Sequence, residues 1–354
     1  MKPWLDLDLL ARLLGLPEGT GLRRMFVTAL DPGAKLAEPV LSVARAAGTD
    51  IGEIGAAWLA LTTRRKDFYA RVLAELTERC PGLTVLKGPA IDAFYPDDVI
   101  RGRVDLDVCA PDVPSLWDLA GHVRRRAADL GPGLEPKEAN VSVLTRGAER
   151  AVFAGLSWTS PHTALDSVYR VELSTLPFLG DRAAVPPRPG LPASGWTLQL
   201  LLVAEEQFQR AVGARDVLDV LMILDAAGAP PDDAWIAATT AARLAPEVAA
   251  LLAAAADAVD GRAGAGHLRA AALAMAARLA PHADRERRRR EGVRDPGEHG
   301  TLEYGVPLDD RPADGERLDR HDFGSILRGP LGSHLLVSDL EVPHETYERA
   351  LAAV

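Results

Sequence analysis

Asp105 and Asp107 stand one residue apart in the apolar run Val104-Asp-Leu-Asp-Val108. Side chains alternate faces along an extended strand, so this spacing sets both carboxylates on one face. It predicts Val104, Leu106 and Val108 on the other face, toward a core. Two acids so placed repel each other unless a cation lies between them. Their hard oxygens suit Mg²⁺, which is usually held by one or two carboxylates together with substrate phosphates. Upstream, Leu83-Thr-Val-Leu ends in Lys87-Gly88-Pro89. This reads as a strand-to-helix turn offering free backbone N–H groups, a helix N-terminus and an ammonium to phosphate. Together the two segments point to a phosphate-handling divalent-metal site.

A two-metal site for in-line phosphoryl or nucleotidyl transfer calls for a third acid. The segment Ser167–Leu176 alternates, with Tyr169, Val171 and Leu173 on one face and Arg170, Glu172 and Ser174 on the other. Glu172 completes the cluster if this strand pairs near that of Asp105. Arg101, four residues before Asp105, is placed to neutralise a leaving pyrophosphate; pairing with Asp97 or Asp98 is its structural alternative.

The elements that must position these residues follow from pattern. Residues 1–80 read as helical, with Ile54, Trp58, Leu61, Phe68, Val72 and Leu76 at near-helical spacing, until Cys80-Pro81-Gly82 breaks the run. Strands are predicted over 83–88 and 104–109, a helix over 111–130, and three strands between Val141 and Leu176. A core over 81–184 results. The Pro-rich stretch Val185–Pro192 reads as a linker to a helical domain over 193–283. Residues 284–320, dense in Arg, Asp, Glu, Gly and Pro, read as a flexible charged linker, and 321–354 as a closing strand and helix segment.

Bulk properties narrow the function. A length of 354 residues exceeds what one core usually serves. The net charge of −10 disfavours a broad nucleic-acid surface. Cys80 and Cys109 are too few for a disulfide framework and lack metal-ligand spacing. The first residues carry acids where a signal peptide needs an apolar stretch, and no apolar run is long enough to span a bilayer, so a cytoplasmic protein is expected.

The order Leu86-Lys87-Gly88, Tyr95-Pro96, Arg101, Asp105-Leu106-Asp107-Val108 resembles the nucleotidyltransferase families of the DNA polymerase β superfamily. It is most similar to a bacterial branch with Leu-Lys-Gly in place of Gly-Ser. The resemblance covers roughly residues 30–225. It implies an α+β protein with a small mixed-sheet core flanked by helical segments. The implied reaction moves a nucleoside monophosphate from an NTP to a small-molecule, peptide or protein acceptor, releasing pyrophosphate. On this resemblance Asp105, Asp107 and Glu172 hold Mg²⁺ or Mn²⁺ and carry catalysis. Lys87, Gly88, Arg101 and Arg103 bind the triphosphate, and Arg215 and Asp219 match the Arg-x-x-x-Asp pair of a downstream helical domain. The alternatives are a non-catalytic nucleotide- or peptide-binding protein of the same fold and an RNA-directed transferase. The chain departs from the family pattern at Val104, where a small residue is usual and crowding of the triphosphate is expected. Ser174 and Glu205-Glu206 stand where histidines are common.

Other signals point nowhere. Asp322-Phe323-Gly324 spells a kinase triplet without the glycine loop or catalytic loop that gives it meaning. The arginine run 285–290 reads as a solvated helix end.

Overall fold

Asp6 opens the first helix by accepting the Leu9 amide at its side chain, and apolar spacing carries the chain through three further helices before the first strand. In the computed structural model, residues 2–131, 133–161, 168–181, 184–190, 193–228, 233–292, 300–339 and 341–354 are described. The helices up to that point are α1 (Leu7–Leu13), α2 (Leu22–Ala29), α3 (Ala37–Ala46) and α4 (Gly52–Arg79). There follow β1 (Thr84–Val85), α5 (Pro89–Asp92), β2 (Asp105–Cys109), α6 (Val113–Leu130), β3 (Glu135–Arg146), β4 (Glu149–Thr159) and β5 (Val168–Ser174). Next are α7 (Gly195–Glu205), α8 (Ala214–Ala227), α9 (Ala234–Ala241), α10 (Ala245–Ala258) and α11 (Gly266–Gly292). The chain closes with β6 (Thr301–Asp309), β7 (Arg317–His321), β8 (Gly324–Gly329), β9 (Gly332–Val337) and α12 (His344–Ala352). The chain is therefore α+β.

Among the described residues the nine strands form one mixed sheet in the order β1-β2-β5-β4-β3-β6-β9-β8-β7. β2 and β5 are its parallel pair, and the other neighbours run antiparallel. The three expected strands of the 141–176 region are β3, β4 and β5; Ser167 lies outside the described residues.

The chain divides into two compact units, and neither follows the expected serial domains. The sheet unit takes Arg64–Leu86, Val104–Leu179 and Asp295–Val354. Its core buries Leu106, Val108, Val171 and Leu173 against Phe68, Tyr69, Val72 and Leu76 of α4 and Leu116, Trp117 and Val123 of α6. This packing accounts for the apolar alternation of β2 and β5. The helical unit takes Met1–Thr63, Lys87–Arg103 and Gly180–Arg294. Its α7 is buried from Thr197 to Glu205, as an apolar run without a polar face requires.

Three expectations are corrected. The charged stretch 284–320 is largely ordered: α11 runs to Gly292, with Pro281 inside it, and β6 and most of β7 follow. Its residues 293–299 lie outside the described residues. Most side chains of β6 and β7 are partly or fully exposed, so the composition of these strands resembles a linker. The Val185–Pro192 stretch is no spacer either, because Val185 is fully buried and Arg188 nearly so; residues 191–192 lie outside the described residues. Val104 is not in the core: it precedes β2 and stays 45% exposed. Asp322 and Phe323, for their part, form the two-residue turn between β7 and β8.

Among the described residues, no helix is long and apolar enough to cross a membrane.

Candidate functional site

The candidate carboxylates belong to the sheet unit. Parallel pairing sets Asp105 beside Arg170 and Asp107 beside Glu172, with Leu106 beside Val171 on the opposite, buried face. Residues paired in this way share a face, and neighbouring strands lie about 4.8 Å apart. Asp105, Asp107 and Glu172 therefore occupy one polar face, as their alternation predicts. β4 extends the row, with Gly155 beside Glu172 and Ser157 beside Arg170. A β-carbon at Gly155 would meet nothing within 4 Å, so the sheet beside Glu172 is bare.

Two residues with no motif of their own bear on this strand pair, Arg170 from the polar face and Tyr69 from the buried side. Arg170 Nη1 lies 3.5 Å from Glu172 Oε1, and both side chains are about half exposed at 49%. The Tyr69 hydroxyl donates to the Val104 carbonyl at 2.6 Å and accepts the Arg170 backbone N–H at 2.9 Å. Tyr69 is fully buried, and burial pushes its hydroxyl well above the ordinary tyrosine range, so it remains protonated. In the sequence Tyr69 is one more apolar position on a helix, and only the fold brings it to the strand ends.

The acids are donors of the right kind for Mg²⁺, but they do not form a closed ligand set. Among the described residues, no three His, Cys, Asp or Glu side chains are grouped to hold a metal ion.

The residues expected to bind the triphosphate lie in the helical unit, and each is engaged there. Lys87 pairs with Glu206, which also faces Arg210 at 3.4 Å. Burial opposes the Glu206 charge, but Lys87 and then Arg210 outweigh it and hold the carboxyl below its usual range. Gly88 has φ +65°, a left-handed conformation that suits glycine, and caps α5. That helix is only four residues long, too short to supply the positive end the turn suggested.

Arg101 is 4% exposed and makes two parallel hydrogen bonds to Asp219, at 2.7 and 2.8 Å. Tyr95 Oη donates to the same carboxylate at 2.7 Å. Arg103 is also buried and pairs with Asp92, which lies 4.0 Å from Arg101. Arg101 thus meets neither Asp97 nor Asp98, and its guanidinium faces a protein carboxylate rather than the solvent. Between the two arginines, a β-carbon on Gly102 would fall 2.2 Å from the Glu38 carboxylate, so a larger residue there would displace that side chain. Arg215 Nη1 donates to the Gly102 carbonyl at 3.3 Å, so the Arg215-x-x-x-Asp219 spacing joins two separate contacts rather than one ion pair.

The departures at Glu205 and Glu206 have the same logic. Glu205 accepts the Gly180 N–H at 2.6 Å and pairs with Arg188, and burial raises its carboxyl above the ordinary range. Asp216 pairs with Arg210. The buried acids Glu205, Asp216 and Asp219 on α7 and α8 each have an arginine partner, as burial of charge demands.

Compared with known protein families, curated proteins and solved structures, the chain has no significant match.

Proposed function

We propose that the chain is a metal-dependent nucleotidyltransferase whose working face is the polar side of the β2–β5 pair, within a polymerase β-like arrangement of that part of the sheet. The observation that carries this reading is the register that sets Asp107 beside Glu172 with Asp105 on the same face. The core does not require three acids there, since the opposite face supplies the packing. Asp105, Asp107 and Glu172 would hold Mg²⁺ or Mn²⁺, which when bound draws charge off phosphate oxygens and the leaving pyrophosphate. Glu172, half exposed beside the bare backbone of Gly155, is placed to take a proton from an acceptor hydroxyl.

The test pairs binding with turnover. The four NTPs with Mg²⁺ or Mn²⁺ should raise the melting temperature only when metal is present, and pyrophosphate should be released with an acceptor supplied. Changing Asp105 and Asp107 together to Asn should abolish both effects. A double variant that binds and turns over like the parent overturns the site assignment.

A second reading, a nucleotide- or peptide-binding protein without catalysis, draws on one observation. Lys87, Arg101 and Arg103, the cations expected at the triphosphate, all face carboxylates of the helical unit. Nucleotide binding that ignores metal and never yields pyrophosphate would favour it.

A further inference from the structure

Trp117, Gly121 and Arg125 follow one another at every fourth residue of α6 and so share one of its faces, each about 6 Å further along the axis. That face, the connection from β6 to β7 and the turn between β8 and β9 bound a cleft of about 640 Å³. Small-molecule sites usually measure about 300–1,000 Å³, so the cleft has the size of one. It lies on the helix-covered side of the sheet, away from the acidic face, and belongs wholly to the sheet unit.

Its walls are apolar and stiff. Pro114, Pro312 and Pro330 have no N–H to offer, and the Ala313 amide already donates to the Gly329 carbonyl at 3.0 Å. Trp117 gives its indole N–H to Glu316, so the rest of its ring presents only carbon. Glu316 is held a second time by Arg150, which fastens the connection across the cleft from the helix. The cleft is therefore pre-formed.

The charges around it are not equivalent. Asp118 accepts from Arg79 Nη2 at 2.6 Å, and that hydrogen bond holds its carboxyl below the ordinary range. Arg125 adds its field at Asp118, yet among the described residues it makes no hydrogen bond or ion pair. Side chains on a helix lean toward its N-terminus, and Arg125 follows this rule. Its Nη1 lies 3.2 Å from the point a Gly121 β-carbon would occupy, with Pro330 Cβ equally close. The guanidinium thus rests over the gap left by glycine, about one turn from Trp117. On the facing wall Asp314 is exposed and has no partner among the described residues.

We propose that this cleft binds a small aromatic carboxylate, with its ring against Trp117 and the prolines and its carboxylate on Arg125. An arginine fork meets a carboxylate through two parallel hydrogen bonds. One helical turn from indole to guanidinium is the span of a ring joined to a carboxylate by two carbons. Asp314 opposes a second negative charge and accepts an ammonium, so an aromatic amino acid falls within the class. The site shares no residue with the acidic face and does not depend on the nucleotidyltransferase reading.

The experiment titrates 3-phenylpropionate, L-phenylalanine and phenethylamine separately into the full chain, followed by ligand-observed NMR. Both carboxylates are expected to bind saturably. Phenethylamine, which keeps ring and ammonium but lacks the carboxylate, should bind at least about tenfold more weakly. Arg125→Gln should cost the carboxylates at least about tenfold in affinity at an unchanged melting temperature, since Arg125 is exposed. Ala313→Phe should fill the cleft and abolish binding. Arg320→Gln removes the same charge from exposed β7 and should bind like the parent.

Absence of saturable binding by the carboxylates, or equal binding of phenethylamine, overturns the proposal. So does affinity that survives Arg125→Gln or Ala313→Phe, or that Arg320→Gln lowers as much as Arg125→Gln. Should Ala313→Phe not fold, the Trp117 indole N–H resonance of the parent takes its place. A shift of that resonance on adding 3-phenylpropionate supports the site, and an unmoved resonance overturns it.

Discussion

Arg101 and Asp219 meet through two parallel hydrogen bonds with their side chains only 5% and 2% exposed. Removing one partner of a buried pair leaves the other charge without compensation, which costs about 3–5 kcal/mol. Asp219→Ala should therefore destabilise the helical unit by about that amount, seen as a lower midpoint in urea. Arg101→Met combined with Asp219→Leu should cost clearly less than the two single changes added together. Strict additivity would show that the pair is not energetically coupled.

Arg170 is a cation on the acidic face, paired with Glu172 and opposite Asp105. Exposed pairs contribute little, so Arg170→Ala should alter stability by no more than about 0.5 kcal/mol. Losing a competing positive charge should instead tighten Mn²⁺ binding. Calorimetric titration checks this, and weaker binding by the variant would contradict the placing of the cation site.

His334 is 2% exposed, with a ring nitrogen 3.4 Å from the Ala139 carbonyl, and burial depresses its pKa. Above the ordinary histidine value of about 6.5 neither state carries the proton, and the group adds no pH dependence. Below it the unfolded chain takes a proton that the folded protein refuses, so stability falls on acidification by up to about 1.4 kcal/mol per pH unit until the folded pKa is reached. The denaturation midpoint of the parent should drop more steeply between about pH 6.5 and pH 5.5 than that of His334→Gln. Parallel pH profiles would refute this.

The last strands belong to the sheet rather than to a tethered appendage. β6 pairs with β3, and Leu327, Leu331 and Leu336 are in the core with Trp117 and Val123. Glu316 also binds the Trp117 indole N–H and Arg150. Deleting residues 300–354 should therefore uncover the edge of β3 and the apolar face beneath, giving an aggregating product. Size-exclusion chromatography of the truncated chain would show it, and a monomer with the parent's thermal stability at residues 1–299 would disprove it.

What was legible in the sequence was local. The alternation in β2 and β5 gave the shared face of Asp105, Asp107 and Glu172 because period-two patterning survives wherever one side of a strand is buried. β6 and β7 gave no such signal, since nearly all their residues are partly or fully exposed and neither face is consistently buried. The arginines misled for a related reason. A guanidinium before an acidic strand fits a phosphate as well as it fits Asp219, which stands far along the chain. Tyr69 was invisible because its contacts, Val104 and Arg170, are backbone atoms brought to it by the fold.

The interleaving of the two units also sets a timetable. A ribosome delivers β1 to β5 early, yet the strand that covers β3 emerges only after nearly all of the helical unit has been made. Through that interval the half-built sheet presents an open edge, and the helical unit likewise awaits α7 to α11. Completion of the sheet thus waits on strands made long after β3, an interval in which slow long-range pairing and exposure to aggregation coincide.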